Sequence, residues 1–203
     1  MELLIPECSY HIYNHSNGND LLFKDAKNYF FFLDKYQKFI SPVADTFVYC
    51  LMPNHFHLLV QIKKETDIIL ELSSKNAKRK YDMLETTSEK EKFVSLYVSK
   101  QFSNLFSSYT QAFNKVYNRM GSLFIKNFKR KRINDNNYFL KLIVYIHLNP
   151  VTHKFVQKPD DWKYSSYNTI LSSKPTFVKR EEVIELYGDV ENFKFCHTNE
   201  IDS

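Results

Sequence analysis

Hydrophobic and polar positions alternate over residues 9–13, where strand formers dominate, and this predicts a first β-strand. A polar stretch over 14–20 containing Asn17-Gly18 predicts a turn region. Over 25–39, Phe30, Leu33, Tyr36, Gln37 and Ile40 fall near helical spacing, and Ser41-Pro42 stops the predicted helix. Residues 46–52 read as a strongly apolar strand and 55–63 as a second one, joined by Pro53-Asn54. So tight a connection predicts an antiparallel hairpin.

A helix is expected from 66 to about 74, and the polar, charged stretch 75–92 is expected to be a mobile excursion. Residues 94–118 predict a long helix with Phe102, Leu105, Phe106, Tyr109 and Phe113 on one side, ended by Gly121. An extended basic stretch over 122–133 follows, then a helix over 136–148 stopped by Asn149-Pro150, and a last helix over 180–187. Strand, helix, hairpin, helix is most of a ferredoxin-like βαββα pattern. The expected fold is therefore α+β: a ferredoxin-like antiparallel sheet with helices packed on one face. It forms a single domain with a core over 8–168 and an extension over 169–203, and there is no internal repeat.

Composition acts by exclusion. A chain that is 43% hydrophobic and 25% charged is ordinary globular material, able to bury a core without disulfides. Cys8, Cys50 and Cys196 are widely spaced, odd in number and form no CxxC pair, so no thiolate metal site is expected. Reduced thiols and a cytoplasmic location are the reading. No signal-like segment and no run long enough to span a membrane occurs. Three glycines leave no phosphate loop or dinucleotide fingerprint.

A net charge of +5 matters mainly through its distribution. Lys129, Arg130, Lys131 and Arg132 stand together with Lys126 just before them, and Lys78-Arg79-Lys80 forms a smaller cluster. Much of the acid lies over 86–92 and 189–202. A local basic surface suits an anionic partner, so Lys126, Lys129, Arg130, Lys131 and Arg132 are candidate nucleic-acid contacts. A basic run taken alone is more often a solvated helix face. The aromatic residues suit a bulky core first and base stacking second.

Candidate chemistry begins with His55 and His57. Residues two apart on a strand share a face, so both imidazoles can converge on one divalent cation while Phe56 and Leu58 point into the core. The pair alone is weak: seven histidines give about 0.24 chance H-x-H matches in a chain of this length. With no carboxylate beside the pair, tyrosine is the candidate nucleophile. Its pKa of about 10 requires help from a cation or base. Tyr145 and Asn149 share a helix face at four-residue spacing, and the Asn149 carbonyl oxygen can ligate a hard cation such as Mg²⁺ or Mn²⁺. By spacing alone, a packed Tyr145 and a helix-ending Asn149 are equally compatible. Tyr109 is the rival; Asn114, five residues on, is rotated about 140° from it. His147 is turned away from Tyr145.

Four segments then carry a family resemblance. Met52-Pro53-Asn54-His55-Phe56-His57-Leu58-Leu59-Val60 resembles the HUH motif of the REP-associated tyrosine transposases and their insertion-sequence relatives. Tyr145-Ile146-His147-Leu148-Asn149-Pro150-Val151 resembles their catalytic-helix motif. Trp162-Lys163-Tyr164-Ser165-Ser166-Tyr167 resembles their tail, and Gly121-Ser122-Leu123-Phe124 with the basic residues after it their middle segment. The resemblance implies a divalent metal held by His55, His57 and Asn149. It implies a single nucleophile, Tyr145, that attacks single-stranded DNA at hairpin-forming element ends. A 5′-phosphotyrosine and a free 3′-hydroxyl would result, and strand transfer would reverse the step. Other branches carry Gln where this chain has Asn149; both supply an amide oxygen. Relatives include monomers and dimers, so a homodimer is among the expected partners. Two other readings stand beside this one: a non-catalytic ferredoxin-like nucleic-acid-binding protein, and a metal-dependent hydrolase using water.

Overall fold

The computed structural model describes residues 2–72 and 75–199. The first strand, β1, runs Ser9–His15, so Asn14 and His15 extend it into the stretch expected to turn. Helix α1 spans Ala26–Phe39 and starts at an Asp25 cap, whose side chain accepts from the Asn28 N–H while the Asn28 side chain reaches back to the cap. Its buried stripe is Tyr29, Phe32 and Tyr36, leading to buried Ile40; Tyr36 and Ile40 fall as expected, while Tyr29 and Phe32 take the inward places expected of Phe30 and Leu33, and Phe30 is exposed. Strands β2 (Ala44–Met52) and β3 (His55–Ile62) form the expected hairpin. Its Pro53-Asn54 turn is pinned: Leu22 and Phe23 donate to the Pro53 carbonyl and Ser16 to that of Asn54.

Helix α2 covers Glu65–Leu70 and stops short of the expected end, since residues 71–72 have left the helix; the expected 73–74 lie outside the described residues. The polar stretch expected to be mobile is helical. Helix α3 covers Lys75–Asp82, and α4 starts at Thr87 and runs to Val116. A Thr86–Glu89 capping box nucleates α4, and the Tyr81 hydroxyl donates to Glu65. Capping at Thr86, together with the contacts of Tyr81 to Glu65, Phe93 and Lys90, stands in for the apolar stripe that the pattern lacks.

The basic run becomes a fourth strand, β4 (Lys129–Ile133), and the sheet order is β2-β3-β1-β4 with every pair antiparallel. Helix α5 spans Asn136–Thr152 and so passes through Pro150, the expected stop. A proline in the last turn forfeits one bond, to the Ile146 carbonyl, and the following residues still close on His153, whose N–H donates to Asn149. A 3-10 turn at Pro159–Asp161 and helices α6 (Tyr167–Ile170), α7 (Arg180–Tyr187) and α8 (Val190–Asn199) complete the order.

The fold is α+β with an antiparallel ferredoxin-like sheet, and the helix that carries Tyr145 lies in the C-terminal half. Alternation along β3 decides what lies where. Phe56 meets Phe32 of α1 and Phe106 of α4, so these two crossover helices share one face, as expected. The other face is not left open: α5 crosses it, with Phe139 against Phe47 and Tyr145 against His57. The exposed edge of β2 is covered by the tail. Ser166 donates to the Tyr49 carbonyl, Leu51 to that of Tyr164, and the Trp162 indole to that of Leu51. Among the described residues no helix is long and apolar enough to cross a membrane.

Candidate active site

His55 and His57 stand on the α5 side of β3, and register adds β1 residues beside them. Tyr13 pairs with His57 and His15 with His55, so His11, Tyr13 and His15 lie on that face too. From the helix, Tyr145 packs its ring against His57 at 5.6 Å between centroids. One turn on, Asn149 Oδ1 sits 2.9 Å from His55 Nε2. The histidines, Tyr13 and Tyr145 border a cavity of about 1140 Å³, with Asn149 buried behind His55, and among the described residues its lining has no Asp or Glu. Tyr145 is 48% exposed in it.

Burial keeps the imidazoles neutral. His57 is pushed down to about 2 by burial, with His11 and His55 adding to the effect. His55 is pushed to about 4 by burial, partly opposed by its bond to Asn149. His11 falls to about 4, again by burial first and Lys131 second. Neutral imidazole is the form that ligates metals.

His55 is flanked by two acceptors. Its Nδ1 lies 2.8 Å from Asn54 Oδ1, and its Nε2 faces Asn149 Oδ1. A neutral ring has one N–H. When that proton bonds Asn54, a nitrogen lone pair and an oxygen lone pair confront each other at 2.9 Å. A cation relieves that conflict: two ligands at a right angle on a hard ion with bonds of about 2.1 Å stand about 3.0 Å apart. The residues present therefore fit a small divalent cation, with His57 as the further donor. Among the described residues, no group of three or more His, Cys, Asp or Glu side chains is arranged to hold a metal, so the surrounding histidines do not form a rival cage.

Tyr109 lies elsewhere. It is 1% exposed on the α1–α4 side, its hydroxyl donates to the Leu22 carbonyl, and burial drives its pKa far up. His147 also points away. The Phe193 carbonyl requires the proton of His197 on Nδ1, so His197 Nε2 accepts from His147 Nδ1, whose Nε2 then accepts from the Ser166 hydroxyl. That chain straps α8 and the tail to α5.

The basic residues are split by the alternation of β4. Lys131 pairs with His11, lines the cavity, and sits over Tyr138. Lys129 pairs with Tyr13 and is exposed on the same side. Arg130 turns to the other face, stacked on Phe128 and bonded to Ser99 of α4. Arg132, two residues on, shares that face, and Lys126 lines a separate groove beside Ser107 and Thr110. Three histidines at the site, His11, His15 and His153, escaped the sequence reading. The alternation His11, Tyr13, His15 was the available signal for two of them.

No family model matches the chain. A curated relative, "Putative REP-associated tyrosine transposase" of Haemophilus influenzae, is 26% identical over 126 residues, which are 61% of this chain and 59% of that protein. A solved structure, that of a REP-associated tyrosine transposase bound to a REP hairpin, shares the fold. Its TM-score is 0.57 at 14% identity, over 86% of this chain and 87% of that one. By sequence and by fold, the chain is similar to the REP-associated tyrosine transposases, the family its four motifs resemble.

Proposed function

We propose that the chain is a metal-dependent single-tyrosine transposase that nicks and rejoins single-stranded DNA at hairpin-forming element ends. The observation that carries this reading is the meeting, at one cavity with no acid among its described lining residues, of an accessible Tyr145 with the two imidazoles, one of which contacts the Asn149 amide oxygen. The curated relative's name and the hairpin bound by the fold relative point to the same substrate class.

His55, His57 and Asn149 would hold Mg²⁺ or Mn²⁺. Such an ion, when bound, polarises a phosphoryl oxygen and stabilises charge that develops on it. Tyr145 supplies the nucleophile. Its Oη–P bond forms as the P–O3′ bond breaks, the phenolic proton leaves to solvent, and the 3′ oxygen takes one up. The 5′ end stays on Tyr145 until a 3′-hydroxyl reverses the step. Lys131 and Lys129 stand where backbone phosphates of the bound strand would pass.

A water-using hydrolase would want a carboxylate beside the histidines, and the described lining residues of the cavity include none. The test is incubation with hairpin DNA carrying single-stranded flanks, plus Mn²⁺, read as a covalent protein–DNA band. Wild type is expected to form the band, and Tyr145→Phe to bind the hairpin without forming it. Binding that survives chelation, with no adduct on any hairpin, would favour a non-catalytic binding protein. Cleavage persisting in Tyr145→Phe would favour the hydrolase.

A further inference from the structure

His57 has a partner of its own. His11 Nε2 lies 2.9 Å from His57 Nδ1, the rings stack at 5.1 Å, and both residues are buried. Among the described residues His57 Nε2 has no hydrogen-bond partner, and it belongs to a residue lining the cavity. One proton is shared by this contact, and its position decides what His57 can do. If His11 donates, the proton of a neutral His57 sits on Nε2, and the nitrogen left for a ligand is a donor that cannot bind a cation. If His57 donates from Nδ1, Nε2 carries a lone pair.

We propose that His11 is a positioning residue: its Nε2 accepts from His57 Nδ1–H and so presents His57 Nε2 as a metal ligand. This rests on the reading of His57 as a ligand given above. The arrangement parallels that of His55, where Asn54 Oδ1, which can only accept, meets Nδ1 and leaves Nε2 for Asn149 and the ion. Each ligand imidazole thus has an acceptor at the rear, one from the hairpin turn and one from the neighbouring strand. Such rear partners fix ring orientation and tautomer, and their loss typically weakens metal binding by about 10–100-fold. A buried second imidazole is also a costly neighbour unless it is hydrogen-bonded, which gives the contact a direction and not merely a shape.

The experiment is Mn²⁺ titration of the full chain without DNA, read by loss of the free-ion electron paramagnetic resonance signal, for wild type, His11→Gln and His11→Leu. His11→Leu is expected to weaken binding about 10–100-fold. His11→Gln, whose amide oxygen can accept, is expected to stay within about threefold of wild type. Equal affinity for wild type and His11→Leu overturns the role of His11 and leaves the metal site standing. No Mn²⁺ binding by wild type overturns the metal site and this proposal with it. A variant-free readout runs alongside: imidazole ¹⁵N spectra of the Mg²⁺-loaded wild type. Protons on Nδ1 of both His57 and His11 support the proposal, and a proton on His11 Nε2 overturns it.

Discussion

His55 Nε2 and Asn149 Oδ1 face each other at 2.9 Å across the interface between sheet and helix, two acceptors once the ring's proton is given to Asn54. With the ring's proton on the Asn54 side, a cation between the two relieves their repulsion, whereas a second proton is resisted by burial. Replacement of Asn149 should therefore act on the metal more than on the fold. Asn149→Leu is expected to lower Mn²⁺ affinity by at least about tenfold, no less than the loss of a rear partner does. Asn149→Asp, with an anionic oxygen in the same place, should equal or exceed wild type. The rise in melting temperature on adding Mn²⁺ reports both. Equal Mn²⁺ stabilisation of Asn149→Leu and wild type would remove Asn149 from the ligand set.

Tyr109 provides the control for the nucleophile. Its hydroxyl is committed to the Leu22 carbonyl within the α1–α4 packing. Tyr109→Phe leaves that buried carbonyl short of a donor, an expected cost of about 1–3 kcal/mol in urea denaturation. Adduct formation at a temperature well below melting should be unchanged. An adduct lost in Tyr109→Phe and kept in Tyr145→Phe would reverse the assignment.

The split of the basic run predicts different outcomes for neighbouring cations. Lys131 borders the cavity, so Lys131→Ala should weaken binding of every hairpin alike and lower the slope of log affinity against log salt by about 1. Arg130 is stacked on Phe128 and bonded to Ser99 on the far face. Arg130→Ala should reduce stability by about 1–2 kcal/mol through lost packing and a lost hydrogen bond, with little change in salt slope. Fluorescence anisotropy over a salt series separates the two, and a shared slope change would mean that the strand wraps the β4 edge.

The same contrast shows why the site was only partly legible in the sequence. His55, His57, Tyr145 and Asn149 could be paired off because each pair is local, one along a strand and one along a helix turn. His11 and His15 join them only through the register Tyr13–His57 and His15–His55, a long-range choice that composition does not reveal. The basic run looked like one surface because its strand period was not recognised; with side chains alternating, Lys129 and Lys131 part from Arg130 and Arg132. Helices α3 and the start of α4 were hidden by polarity, though the Thr86–Glu89 box was in plain sight. The tail motif is explained by pairing on the β2 edge and by Ser166 reaching His147, neither visible without the sheet.

Acid should act through the strap between α5 and α8. Burial pushes His147 well below the ordinary value of 6.5 and His197 to about 4. In the unfolded chain both regain a value near 6.5. Between those limits the unfolded chain holds more protons than the folded one, so stability rises with pH across the window and falls as pH drops from about 6.5 toward 4. Above 6.5 the two states bind protons alike and the slope from these groups vanishes. His11, His55 and His57 carry the same sign, so wild type should lose stability steeply in acid. Each such group adds at most about 1.4 kcal/mol per pH unit. His197→Gln removes one of them and retains an amide that can accept from His147. Urea midpoints between pH 7 and 5 are expected to fall less steeply for His197→Gln than for wild type. Identical slopes would mean that His197 takes up its proton in the folded state as well, and that α8 does not hold it neutral against α5.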